Sequence, residues 1–170
     1  MSNRNLAEEL ATRLEEANEA VLTVARNCSQ AQWETVVPDE QRTVGVLFHH
    51  LAWLTPFIMK YAITAAAGNE LPISPSASDR GRQLNANHAQ EYAQVPQAEV
   101  IRLLQATCEA AIPQLRKLTD EQLNITTPWR QPYEPVPEQD VASAKLLIEW
   151  NLIYHRYDHL SQIKKVLGIK

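Results

Sequence analysis

The sequence predicts an all-α fold: a four-helix bundle with long crossover connections and a short extra helix. Three observations carry that expectation. Glycine is scarce, with 4 among 170 residues. Apolar residues recur in alternating steps of three and four, the helical rather than the strand period. Prolines and glycines divide the chain into four long runs of this kind.

The first run places Leu6, Leu10, Leu14, Ala17, Val21 and Val24 on one stripe over about five turns. The second starts after Thr43, a residue suited to an N-cap, and aligns Leu47, His50, Leu51, Leu54, Ile58 and Tyr61. Gly68-Asn69 should end it, and Pro56 inside it should kink it. The third run, Gln97–Leu118, follows Pro96, contains Pro113, and aligns Val100, Leu104, Cys108, Ala111, Leu115 and Leu118. The fourth begins near Val141 and reaches Leu167 before Gly168, with a stripe of Ile148, Leu152, His155, His159, Gln162 and Val166. Between the second and third runs lies a Pro/Ser loop and then a shorter helix over Arg82–Ala93. The segment TTPWRQPYEPVPEQD before the fourth run, rich in proline, reads as an extended surface loop.

The length suits one domain, residues 1–170, with a single core. Apolar residues make up 45% and charged residues 21%, a globular balance. The net charge of −4 excludes the electrostatic footprint of a nucleic-acid binder. The acidic N-terminus lacks the apolar centre of a secretory peptide. Val44–Ala67 is long enough to span a membrane, but His49, His50 and Lys60 favour a buried helix. Cys28 and Cys108 make no disulfide framework. A cytoplasmic protein is expected. Cys108 reads as a core thiol, and Cys28 as a more exposed one without an activating partner.

His155 and His159 stand one helical turn apart on the inner stripe. Two stacked imidazoles inside an apolar core need partners, and a metal ion satisfies both together. Of the adjacent His49 and His50, the second falls on the inner stripe of its helix. Three imidazoles from two facing helices describe an open site for Zn²⁺ or another divalent first-row ion. Each piece also has a plainer reading: core histidines bonded to neighbouring polar groups, with no metal. His88, in the short crossover helix, reads as a surface residue or one behind the ligands. Trp33, Trp53, Trp129 and Trp150 read as packing residues or loop anchors more than as pocket walls.

The FHHLAW element around His50 and the HRYDHLSQ element, of the form HxxxHxxQ, resemble the DinB-like (YfiT-like) superfamily of metal-binding four-helix bundles. That group includes bacterial thiol-dependent S-transferases and mycothiol-dependent maleylpyruvate isomerase. NANHAQEYA and the helix ending LRKLTDEQL are similar too, so the resemblance covers most of the chain. It implies His50, His155 and His159 as metal ligands, with Gln162 as the polar residue that follows the last of them. It implies Zn, Ni or Fe as the ion, a low-molecular-weight thiol as a second cofactor, and a small-molecule electrophile as substrate. No nucleic acid and no membrane is implied as partner. A homodimer is implied as well, with the first helix or the surface beside Pro56 as its interface.

Two functions follow. One is a metal-dependent thiol S-transferase, or a related hydrolase or isomerase. The other is a non-catalytic metal-binding or metal-stabilised module. Asp158, Glu149, Asn85 and Asn87 are candidates to orient the imidazoles. No catalytic residue beyond the ligands is identified, and the loops 69–81 and 126–140 are expected to border any pocket.

Overall fold

The computed structural model describes residues 5–71, 79–131 and 139–169. Its main elements are long helices, joined by two small antiparallel hairpins. Helix α1 spans Leu6–Asn27, and the short α2 spans Gln30–Trp33. Strands β1 (Val36–Val37) and β2 (Arg42–Thr43) form the first hairpin. Then come α3 (Val44–Ala66), α4 (Asp79–Glu91), α5 (Gln97–Leu115) and α6 (Asp120–Asn124). The second hairpin pairs β3 (Thr126–Gln131) with β4 (Gln139–Ser143). The last helix runs from Ala144 to Leu167 in three parts: α7 (Ala144–Ile148), a π-helical segment Glu149–Tyr154, and α8 (His155–Leu167).

The helix starts obey capping chemistry. Thr43 accepts a hydrogen bond from the Val46 amide, Ser143 from that of Leu146, and Ser29 and Thr119 each form a reciprocal capping box. Gly68 and Gly168, with φ of 73° and 66°, supply the left-handed residues past the ends of α3 and α8. Pro56 and Pro113 lie inside α3 and α5, as the sequence indicated.

Three expectations are corrected. The last helix starts at Ala144 rather than Val141, because 139–143 pairs as a strand. The expected surface loop over 126–140 is in part this hairpin, with Thr126 opposite Ser143 and Thr127 opposite Ala142. Its β-branched threonines form the ladder, while Pro128 sits where the register becomes irregular. The shorter crossover helix starts at Asp79 and ends at Glu91. Residues 72–78 and 132–138, at the centre of the loops expected to border a pocket, lie outside the described residues, as does the side chain of Trp129.

The core has two apolar halves. One gathers Leu10, Leu14, Ile58, Ala62, Leu115 and Leu147 at one end of the bundle. The other gathers Val21, Phe48, Leu51, Leu104, Leu160 and Ile163 at the other end. Between them α1, α3 and α8 contribute a buried polar layer of Asn18, Thr55 and Arg156. Cys28 is buried in the second half, which corrects its reading as an exposed thiol. Helix α1 exposes no large apolar side chain, whereas Phe57 beside Pro56 is 45% exposed. Of the two surfaces expected for a dimer contact, the one beside Pro56 therefore carries an exposed large apolar side chain and the first helix does not. No described helix is long and apolar enough to cross a membrane.

Candidate metal centre

The π-helical segment decides what the last helix presents. A π turn accommodates one residue more than the α pattern, so the inward stripe after it advances by one. The sequence aligned Ile148, Leu152, His155, His159, Gln162 and Val166. The buried line in the structure is instead Ile148, Leu152, Arg156, Leu160 and Ile163. His155 and Gln162 are half-buried on its flank, and His159, also buried, lies beside them. The two histidines are thereby turned from the centre of the core toward α3.

There they meet His50. His155 Nε2 lies 3.3 Å from His50 Nε2 and 3.2 Å from His159 Nε2. The candidate ligand atoms of the three residues all lie within 4.8 Å of one another. Among the described residues this is a group of three, with no cysteine or carboxylate as a fourth member. A tetrahedral ion with metal–nitrogen bonds of about 2.0–2.1 Å separates its ligand nitrogens by about 3.3–3.4 Å. The observed spacings match that edge, so the triad can hold such an ion.

Electrostatics agree with the geometry. Burial pushes His50 and His155 well below the ordinary imidazole range and His159 down to about 3. Mutual repulsion and the nearby Arg42 guanidinium push His50 and His155 the same way, and Arg42 also lowers His159. All three rings are neutral at pH 7, the state in which imidazole ligates a metal. Three converging nitrogens cannot all be satisfied by one another, since a neutral ring has one N–H donor and one acceptor.

The surroundings differ from the sequence reading. His159 Nδ1 faces Glu40 Oε1 at 3.4 Å, an ion-pair distance without hydrogen-bond alignment. Glu40, on the first hairpin, was not among the expected orienting groups. The four that were expected have other or no bonds to the triad among the described residues. Glu149 accepts from Arg13 at 2.8 Å, Asp158 from Gln162 at 3.0 Å, Asn87 from Gln83 at 2.7 Å, and Asn85 is half-buried on α4. No spacing rule links a hairpin at 36–43 to a helix at 155–167, so the sequence offered no signal for Glu40.

His49 and His88 complete the group, so all 5 histidines of the chain gather here. His49 Nδ1 lies 2.8 Å from His88 Nε2, and His49 stacks on Tyr92 with ring centroids 3.9 Å apart. His88 packs edge-on against His50 at 5.5 Å and against Trp53 at 5.0 Å. It is buried behind the triad, not on the surface, and burial lowers it to about 4. Trp53 stands 6.1 Å from His50 and so borders the site, while Trp33 packs in the core.

The family model of the DinB superfamily matches residues 13–163, nearly the whole chain. The chain belongs to the DinB superfamily. No curated protein and no solved structure matches it. The match spans both elements of the triad in this superfamily member, the FHHLAW turn of α3 and the HxxxHxxQ turn of α8. Neither cysteine contributes. Burial raises both thiols above their ordinary value, so each stays protonated, and neither joins the histidine group.

Proposed function

We propose that this DinB superfamily chain is a divalent-metal enzyme, a thiol S-transferase or a related hydrolase or isomerase acting on a small electrophile. The observation that carries this reading is the group of three imidazoles, with Nε2 atoms 3.2 and 3.3 Å apart and no fourth candidate ligand among the described residues. Three ligands are the pattern of catalytic zinc, whereas structural sites close the fourth position with protein. His50, His155 and His159 would hold the ion. When bound, it supplies Lewis acidity that lowers the pKa of a thiol or water in the fourth position and yields a nucleophile at neutral pH.

The chain's own residues do the rest. Leu47, Leu51, Leu160 and Ile163, neighbours in sequence of the three histidines, belong to the buried apolar half of the core at this end of the bundle. Glu40 polarises the far nitrogen of His159. Zn, Ni and Fe all suit three imidazoles, and the thiol in this reading is a low-molecular-weight one.

The alternative is a module whose ion only stabilises the bundle. It is favoured by the depth of His50 and His159, exposed by 4% and 2%. Elemental analysis of untagged protein, purified without chelator beside a His155→Ala/His159→Ala variant, tests the shared part. About one equivalent of metal, lost in the variant, is expected. No metal in the parent and no uptake of added Zn²⁺ or Ni²⁺ would refute both readings. Azide binding to the Co²⁺ form separates them: shifted visible bands mean an open fourth position, and unchanged bands a closed one.

A further inference from the structure

The first hairpin brings a second charged pair against the triad. Gln41 adopts a left-handed backbone, φ 54°, at the turn. Its neighbours Glu40 and Arg42 meet there, Arg42 Nη2 against Glu40 Oε2. The other oxygen of that carboxylate, Oε1, faces His159 Nδ1 at 3.4 Å. Arg42 thus stands one carboxylate away from a triad ring. Its side chain is 9% exposed, and its Nη1 is buried without an acceptor.

We propose that Arg42 is an anion subsite beside the triad, taking the carboxylate of a small acid on its unpartnered Nη1. The substrate class of the proposed enzyme would then be a carboxylate-bearing electrophile or thiol. This rests on the metal reading for its chemistry but on Arg42 and Glu40 for its geometry.

Three arguments support it. A guanidinium cannot shed its proton at any working pH, so a buried Nη1 without an acceptor is a standing cost. Glu40 balances the charge of Arg42, and the three imidazoles are neutral, so a divalent ion in the triad adds charge that no described ligand offsets. An incoming carboxylate answers both demands. Arginine also suits this task better than lysine, because its planar fork can hold Glu40 on one nitrogen and a second oxyanion on the other.

The test uses the Co²⁺-loaded full chain and follows its visible bands during titration with acetate, with neutral acetamide and with inorganic phosphate. Saturable acetate binding is expected, with acetamide at least tenfold weaker. Arg42→Gln should weaken acetate at least tenfold while retaining Co²⁺. Glu40→Gln should tighten acetate several-fold, since it removes the competing carboxylate, whereas a purely structural pair would give a loss. Equal acetate affinity in wild type and Arg42→Gln overturns the proposal. Phosphate binding more tightly than acetate, with the same dependence on Arg42, overturns the carboxylate assignment.

Circular dichroism checks that each variant folds. Should Arg42→Gln fail to fold, the sign of the Glu40→Gln effect decides. If the wild type takes up no Co²⁺, the enzyme reading fails separately. Acetate protection of the metal-free chain against urea, present in wild type and absent in Arg42→Gln, then still supports the subsite, and equal protection overturns it.

Discussion

Arg156 donates from Nη2 to the hydroxyl of Thr55 at 2.7 Å, while the residue before it, His155, meets His50 at 3.3 Å. Adjacent residues on α8 thus hold the same partner helix at two levels, one through the core and one through the site. Arg156 also donates from Nη1 to the Leu152 carbonyl at 3.0 Å and from Nε to Asn18 at 3.3 Å, and Asn18 donates to the Leu104 carbonyl at 3.3 Å. The guanidinium is fully buried among neutral acceptors, and desolvation lowers it to about 10. This layer pins α8 in depth and rotation against α1 and α3, and so sets where His155 and His159 emerge.

Truncating Arg156 should therefore be costly. Arg156→Ala leaves Asn18 Oδ1 and the Thr55 hydroxyl oxygen without the donor they share, around a cavity, and a loss of about 3–5 kcal/mol is expected in urea unfolding. Arg156→Met fills the space and removes the buried charge, so its loss should be smaller or absent. Thr55→Val, which strands a guanidinium nitrogen, should cost about 1–3 kcal/mol. Equal losses for Ala and Met would mean that the polar bonds matter and the filled volume does not.

Much of the bundle was legible because burial follows period. The stripe from Leu6 to Val21 and the cap at Thr43 could be read directly, since each depends on neighbours within one turn. His50 was legible for the same reason, through its place beside Leu47 and Leu51. The last helix was readable only up to its π segment. Beyond it the α period pointed to His155, Gln162 and Val166 as the centre, where the structure has Arg156, Leu160 and Ile163. An arginine reads as a surface residue in any hydropathy pattern, and the extra residue of a π turn leaves no compositional mark. Glu40 and Arg42 were invisible because their role depends on a tertiary contact between a hairpin and α8. His88 could be read only as a surface residue or one behind the ligands, because its helix is polar overall; the structure has it buried behind the triad.

Gly45 shows a constraint that a helix pattern hides. It lies in the first turn of α3, where its Cα faces the Trp33 indole. An added Cβ would fall 2.5 Å from Cε2 and 2.8 Å from Cδ1 of that ring. Trp33 is buried, stacks on Phe48 with centroids 5.6 Å apart, and donates to the Val95 carbonyl at 3.3 Å. Helix propensity alone predicts that Gly45→Ala stabilises by about 1 kcal/mol. Overpacking should reverse the sign, to a loss of about 1–3 kcal/mol. Urea unfolding gives the answer, with the Trp33 indole N–H resonance reporting whether the bond to Val95 survives. A stabilised variant would mean that the indole moves aside freely.

The buried imidazoles should make the metal-free protein sensitive to acid. His50, His155 and His159 titrate below their ordinary value in the folded chain, His159 at about 3, and near 6.5 when unfolded. Between those values the unfolded chain binds more protons, so stability rises with pH. The contribution is complete above about pH 6.5 and is lost as pH falls below it, by up to about 1.4 kcal/mol per pH unit for each such histidine. The urea midpoint of metal-free protein should fall steadily from pH 7 to 5, and His159→Gln should flatten the slope. A midpoint constant over that range would show the rings to be solvated.

The π segment gives the sharpest contrast. Removing one residue from a π turn should restore α geometry while both flanks keep their faces, because the extra residue is what the wide turn absorbs. Tyr154 is 50% exposed at the end of the segment, and its side chain touches Trp150 with centroids 4.9 Å apart. Deleting Tyr154 should cost about 1 kcal/mol for that aromatic contact and leave near-stoichiometric metal uptake. Tyr157 is similarly exposed, at 43%, but lies between His155 and His159 in regular α-helix. Its deletion turns the later ring by about 100° relative to the earlier one and should abolish uptake. The two proteins differ from wild type by one tyrosine each, so loss of tyrosine as such cannot explain a difference between them. Metal analysis and helical circular dichroism on both variants decide the matter. Loss of metal in both would mean that the π turn is itself needed to aim His155 at His50, and retention in both would remove the pair on α8 from the site.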